Sequence, residues 1–254
     1  MSIKQKIEAI GTPLKDWDVQ INYGIKTGFN EAFIIDGAKR AELIAADPKS
    51  AEIIRPILRG RDIKRYNYEF ANLYIIATFP AKHYDIDDYP AVKAHLLSYG
   101  IERLEQTGKE YTIDGEKIKA RKKTNNQWFE TQDSISYWDD FNKQKIVYRE
   151  IGTQMDACLL PERYMINNKL YMIVGEHIEY LLAFLNSQIF NKIYFNYTNI
   201  TGGKGVDFLS AIRVIKPNPD IENTLQKILN LPQNKKRNNL INNIFYHLYD
   251  LSMS

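Results

Sequence analysis

The chain carries Gly24-Ile25-Lys26-Thr27-Gly28-Phe29-Asn30-Glu31-Ala32-Phe33 and, further on, Arg59-Gly60-Arg61-Asp62-Ile63-Lys64-Arg65-Tyr66. These two segments are its most informative part. Each is a polar, glycine-containing loop between apolar stretches, and neither resembles a catalytic centre. A rigid scaffold commonly carries its recognition residues on such loops. The two loops therefore predict a role in recognition.

The polar side chains of these loops are candidate ligand contacts. They are Lys26, Thr27 and Asn30 in the first loop and Arg61, Lys64 and Arg65 in the second. Gly24 and Gly28 permit backbone angles that bring N–H groups close to an anion, so we expect the first loop to be a fixed element. Small glycine-flanked turns also occur simply to connect strands, and the residue types alone leave that alternative open.

The composition is that of an ordinary soluble protein. Of 254 residues, 44% are hydrophobic and 26% are charged, and 34 basic residues against 31 acidic ones give a net charge of +3. This excess is too small to indicate nucleic acid by itself. The single Cys158 excludes an intrachain disulfide framework and fits a reducing cytosol. No signal peptide and no apolar span of about 18 residues is present, so the sequence predicts a cytoplasmic protein with no membrane segment.

Apolar periodicity and turn signals predict one mixed α+β domain. Trp17 to Tyr23 and Phe33 to Ile35 are predicted to form a hairpin-like pair around the first loop. Asp47-Pro48 is predicted to open a helix whose buried stripe is Ile53, Ile54, Ile57 and Leu58. Further predicted elements are strands at Leu73–Phe79, Lys145–Ile151, Leu170–Val174 and Ile212–Ile215, and helices starting at Pro90 and over Ile178–Phe195. Residues 1–219 are assigned to this domain, and residues 220–254 to C-terminal helices that pack on it.

Three kinds of catalytic or cofactor site find no support in the sequence. A base-amino methyltransferase needs a motif with adjacent prolines, and no two of the nine prolines are adjacent. Gly24 and Gly28 are not followed by the helix of a cofactor-binding glycine loop. The four histidines lack the paired spacing of metal ligands, and Asp47-Pro48-Lys49 is explained by a helix cap. The chain alone is therefore predicted to catalyse nothing and to bind no metal or cofactor.

A basic cluster from Lys117 to Lys123 is followed by amide side chains. Basic side chains hold phosphates and amides can read base edges. Its candidate phosphate contacts are Lys119, Arg121, Lys122 and Lys123, and the candidate base contacts are Asn125, Asn126 and Gln127, with Gln154 in the loop that also contains Thr153 and Asp156. A charge run is also what a solvated face looks like, and this alternative stays open.

In order and spacing, these segments resemble the TaqI-like specificity domain of restriction-modification enzymes. Further segments add to the resemblance: Lys145 to Ile151, Leu181 to Phe190, Gly202-Gly203-Lys204-Gly205, Ile215 to Pro219, and Phe245 to Leu251. The likeness runs from about Trp17 to Leu251. It implies a mixed β-sheet target-recognition domain with a C-terminal helical appendage, and it adds Lys204 to the candidate DNA contacts.

The resemblance further implies a function and partners. Such a domain recognises a short site in double-stranded DNA for an adenine N6 methyltransferase of the type II, or type IIG, class, with the target base flipped towards the catalytic part. S-adenosylmethionine, with Mg²⁺ as an option, would bind in that catalytic domain or subunit. The chain is then an excised domain or a separate subunit. Two alternatives remain: a small DNA-modifying enzyme with an unrecognised active site, and a protein-interaction scaffold.

Overall fold

The fold is described from a computed structural model, which describes residues 3–149, 154–192 and 206–251. The α-helices in this part of the chain are α1 (Ile3–Ile10), α2 (Asn30–Phe33), α3 (Gly37–Ala46), α4 (Pro90–Leu97), α5 (Ile101–Leu104), α6 (Ile178–Leu185), α7 (Gln188–Phe190), α8 (Val206–Ala211), α9 (Pro219–Leu229) and α10 (Lys235–Leu248). None of these helices combines the length and the apolarity needed to cross a bilayer.

Within the described residues, the strands form two four-stranded sheets and three two-stranded ones. They are β1 (Thr12–Pro13), β2 (Val19–Tyr23), β3 (Ile34–Asp36), β4 (Ile54–Leu58), β5 (Ile63–Lys64), β6 (Asn67–Tyr68), β7 (Leu73–Ile76), β8 (Glu110–Ile113), β9 (Glu116–Lys119), β10 (Lys145–Arg149), β11 (Ala157–Leu160), β12 (Met165–Ile166), β13 (Leu170–Gly175) and β14 (Arg213–Val214). The larger sheets have the orders β11-β10-β13-β2 and β12-β4-β7-β3.

The predicted hairpin around the first loop is wrong. β2 pairs antiparallel with β13, whereas β3 pairs antiparallel with β7 in the other large sheet. The loop from Gly24 to Phe29 therefore connects two sheets and is not the tip of a hairpin. Each strand forms its backbone hydrogen bonds with a partner strand that is distant in sequence. The local spacing of apolar and polar residues does not reveal such a partner.

The helix predicted after Asp47 is also wrong beyond its first turn. Asp47 does cap the segment, since its side chain accepts a hydrogen bond from the Lys49 N–H at 3.2 Å, and Pro48 occupies the first position. However, this short 3-10 helix ends at Glu52, and Ile54–Leu58 is a buried strand. β-branched isoleucines favour a pleated, buried surface, and Pro56 would interrupt a helix.

The C-terminal helices share one core with the sheet β11-β10-β13-β2. Leu225 of α9 and Phe245 of α10 belong to the same buried cluster as Ile146 and Ile173 of that sheet. The helix predicted from Ile178 ends earlier than expected, because Ser187 starts α7 by accepting a hydrogen bond from the Phe190 N–H. The remainder of that prediction, from residue 193 onward, lies outside the described residues.

Candidate nucleic-acid interface

Three chain segments run parallel to one another and end at one edge of the protein. β12 pairs in parallel with β4, so that Ile166 lies opposite Leu58. Ile25 forms a parallel bridge to Asn167 on the other side. The Ile25 N–H donates to the Ile166 carbonyl at 2.8 Å, and the Asn167 N–H donates to the Leu58 carbonyl at 3.0 Å. Because parallel segments end on the same side, the residues that follow them meet there.

Each of these segments is followed by an exposed cation. They are Lys26, Arg61 and Lys169, which we call the basic edge. Lys169 lies close to the second loop, since a Cβ at Gly60 would be 3.6 Å from its Cβ. Within the described part of the chain, no carboxylate lies within 4 Å of any of these three cationic groups. The fold thus joins the two loops singled out in the sequence, and no described residue forms an ion pair with Lys26, Arg61 or Lys169.

Two of the predicted contacts in the first loop serve mainly to shape it. Thr27 is buried, and its hydroxyl donates to the Asn30 side-chain oxygen at 2.7 Å and accepts from the Phe29 N–H at 3.2 Å. Gly28 has a φ of +79°, the left-handed region that favours glycine. Asn30 stays exposed at the start of α2, while Thr27 is not available as a surface contact.

Arg121 is the clearest correction to the predicted contacts. It is 4% exposed, and its guanidinium donates to four backbone carbonyls at 2.6 to 2.8 Å. These carbonyls belong to Thr27, Leu104, Trp128 and Glu130. Burial lowers the pKa of Arg121 to about 10, which leaves it charged at neutral pH. Arg121 is therefore an internal tie between the first loop and the polar segment 124–132, and it does not face a phosphate.

The other members of the basic cluster lie on the surface. Lys119, Lys122 and Lys123 are all exposed. Lys26 and Lys122 both act on one carboxyl group: burial raises the pKa of Asp133, and these two ammonium groups lower it. Asp133 follows Gln132, whose N–H donates to the Lys26 carbonyl at 3.0 Å. The basic cluster consequently adjoins the basic edge.

One of the three predicted base-reading amides in segment 124–132 is used inside the protein. The Asn126 amide donates to the carbonyls of Thr131 and Gln132 at 3.3 and 2.9 Å, so it holds its own loop together. Asn125 and Gln127 are exposed. Of the three amides predicted in this segment, these two remain available to a ligand.

A further group of predicted contacts lies where β5 and β6 approach β11 and the start of α10. Lys64 is exposed and 3.9 Å from Glu69, whereas Arg65 is half-buried and donates to the Asn186 carbonyl at 2.5 Å. Gln154 is exposed and donates to Asp156, which is buried and paired with Arg149. Arg65 and Asp156 are thus committed to internal contacts. Lys204 and Thr153 lie outside the described residues.

Sequence reasoning missed Lys169. Asn167-Asn168-Lys169 is a tight turn in which the Leu170 N–H donates to the Asn167 carbonyl at 3.0 Å. Asn residues followed by a lysine after the apolar pair Met165-Ile166 are a turn signal that could have been noticed. The position of Lys169 between the two loops could not have been noticed, because the parallel pairing of distant segments creates it. Among the described residues, no group of three or more His, Cys, Asp or Glu side chains could hold a metal ion.

Comparison with known proteins identifies the family. Residues 55–208 match the model of the TaqI-like C-terminal specificity domain. No curated protein matches the chain. Among solved structures, it is similar to the type IIL restriction-modification enzyme MmeI in complex with DNA, with 13% identity and a TM-score of 0.57 over 96% of this chain and 34% of that one. It is also similar to the type IIG restriction endonuclease BpuSI, with 9% identity and a TM-score of 0.51 over 98% and 33% of the two chains.

The chain belongs to the family of TaqI-like C-terminal specificity domains. The predicted family and the mixed α and β fold are confirmed, and the family makes this chain a DNA target-recognition domain of the restriction-modification type. The chain spans about a third of each solved structure that it matches. At these identities the structural likeness is one of fold.

Proposed function

We propose that this chain reads a short site in double-stranded DNA for a methyltransferase or nuclease part that lies outside it, and that it performs no chemistry itself. The observation that carries the proposal is the basic edge with the adjoining Lys122 and Lys123. Five exposed cations lie around loops whose backbones are fixed by internal hydrogen bonds. Such a surface suits DNA phosphates, which position a protein on the duplex, and the exposed amides of Asn125 and Gln127 would contact base edges.

Neutralising part of this surface should reduce DNA binding in a salt-dependent way. We expect a variant with Lys26, Lys122 and Lys169 changed to glutamine to bind all duplexes more weakly. The slope of log K against log salt should fall by up to about 2.7, because each phosphate contact contributes about 0.9. The measurement is fluorescence anisotropy with a labelled duplex over a range of salt concentrations.

The matched control changes Lys15, Lys216 and Lys227 to glutamine. These lysines are exposed, and their loss alters net charge by the same amount. They lie on the short turn before β2, after β14 and on α9, and none belongs to the basic edge or the basic cluster. If both variants had the same salt slope, the proposed phosphate contacts would be refuted.

The catalytic part should supply S-adenosylmethionine binding, and Mg²⁺ where a nuclease is present. Transfer of a labelled methyl group to unmethylated duplex tests this division of labour. We expect no transfer by the chain alone and transfer once a catalytic domain or subunit of this class is supplied. Cofactor-dependent turnover by this chain alone would instead favour the alternative of a complete small enzyme.

A further inference from the structure

The strands β8 and β9 form a separate two-stranded ribbon. They pair antiparallel from Glu110 opposite Lys119 to Ile113 opposite Glu116, and no other described strand joins them. Asp114 and Gly115, with φ of +51° and +83°, make the two-residue turn at the tip. A Cβ at Gly115 would meet no atom within 4 Å, so the tip stands in open space.

The base of the ribbon is held rigidly beside the basic edge. The Ala120 N–H donates to the Lys109 carbonyl at 2.9 Å, and the Gly108 N–H donates to the Arg121 carbonyl at 2.8 Å. The Tyr111 hydroxyl also donates to the Glu105 carboxylate at 2.6 Å. Because Arg121 also ties down the first loop, the ribbon has a defined direction relative to that loop.

Charge changes along the ribbon from base to tip. Lys109 and Lys119 are exposed at the base, and Lys122 and Lys123 continue the positive surface there. Acids at the base include the exposed Glu110 and the half-buried Glu105. At the tip, Asp114 and Glu116 are exposed beside Lys117, so acids outnumber bases there. In B-DNA the phosphates line the rim of the major groove, whereas the amino groups of cytosine and adenine are donors on its floor. The positive base of the ribbon therefore suits the phosphates at the rim, and its acidic tip suits the amino groups on the floor.

We propose that the ribbon enters the major groove of duplex DNA, where Asp114 and Glu116 accept hydrogen bonds from a base amino group, cytosine N4 in the first instance. This inference rests on the proposed function and assigns part of its sequence reading. The groove is about 12 Å wide and admits a two-stranded ribbon, and acidic side chains are the acceptors that pair with cytosine N4. Asn125 and Gln127 would then contact bases in addition to the ribbon, and they would not replace the contacts of Asp114 and Glu116.

A shortened ribbon tests the proposal without altering net charge. Deleting residues 112–113 and 116–117 joins Tyr111 and Ile118, already cross-strand partners, through the original Asp114-Gly115 turn. The deletion removes one acid and one base, Glu116 and Lys117, and withdraws the tip by about 7 Å. The full chain and this variant are each used to select bound sequences from a library of randomised duplexes.

We expect the parent chain to enrich a motif. In the shortened variant the preference for that motif over random duplex should fall about tenfold or more, the effect of losing one good base contact. Two exposed-residue variants that leave the ribbon intact, Asp114→Asn and Glu116→Gln, should change the preference at a base pair that presents an amino donor. Glu110→Gln, with the same charge change at the base of the ribbon, should leave the motif unaltered.

The outcomes separate this inference from the proposed function. A parent chain that binds no duplex and enriches no motif would overturn the proposed function itself. An unchanged motif and preference in the shortened variant and in both point variants would overturn the ribbon alone. Should the shortened variant fail to fold, as judged by urea unfolding, Asp114→Asn and Glu116→Gln decide the question.

Discussion

Replacing Arg121 by methionine is expected to lower the free energy of unfolding by about 3 kcal/mol or more. The substitution leaves the carbonyls of Thr27, Leu104, Trp128 and Glu130 without their guanidinium donor in the interior. Each unsatisfied buried acceptor costs about 1 to 3 kcal/mol, and relief from burying one charge offsets only part of the sum. Urea unfolding measures the loss as a lower midpoint with an unchanged slope.

Two controls sharpen this prediction. Lys122→Met removes a neighbouring but exposed charge and should change stability by no more than about 0.5 kcal/mol. Arg121→Lys keeps the charge but lacks the planar fork of donors, so we expect it to recover only part of the loss. Coinciding midpoints for Arg121→Met and Lys122→Met would contradict the internal role.

DNA binding distinguishes the internal role of Arg121 from a phosphate contact. A residue that binds a phosphate should reduce the salt slope by about 0.9 when it is removed. Because Arg121 is buried and its guanidinium donates to backbone carbonyls, Arg121→Met should leave that slope unchanged. Binding is compared without urea, at a temperature at which the parent chain and Arg121→Met both remain folded.

Gly24→Ala should also destabilise the protein by about 3 kcal/mol. A Cβ at Gly24 would lie 2.0 Å from the carbonyl oxygen of Asn167 and 2.7 Å from that of Ile166. Both atoms are backbone, so no side-chain rotation relieves the overlap. The loop must instead move away from residues 166–168, which disrupts the Ile25 to Ile166 hydrogen bond and separates Lys26 from Lys169. Urea unfolding and duplex binding should therefore both deteriorate.

Gly115→Ala is the matched control for this substitution. Gly115 has a φ of +83° but open space around its Cβ position. Alanine there should therefore cost only the left-handed strain of about 1 to 2 kcal/mol. At Gly28 a Cβ would meet side-chain atoms instead, Gln132 Oε1 at 2.8 Å and Arg121 Cδ at 2.9 Å. Equal losses at Gly24 and Gly115 would show that the close backbone approach is unimportant.

Local sequence was sufficient for the features that nearby residues create. Asp47-Pro48 caps its segment and Pro90 begins α4, as predicted, and Asp114-Gly115 forms a two-residue turn. In each case the residue's own φ preference, or a side chain bonded within a few positions, sets the conformation. The sequence also identifies the exposed lysines of the basic cluster, because a lysine side chain is charged at neutral pH whether or not it has a partner.

Tertiary structure alone decided which of these features meet and which charges remain accessible. Ile25 and Asn167 are far apart in sequence, yet their parallel bridge joins the two loops and adds Lys169 to them. Arg121 and Lys122 are adjacent and both basic, but one is buried on four carbonyls while the other is exposed. The reason is physical: propensity and capping act over a few residues, whereas strand pairing and the burial of a charge depend on acceptors supplied by distant segments.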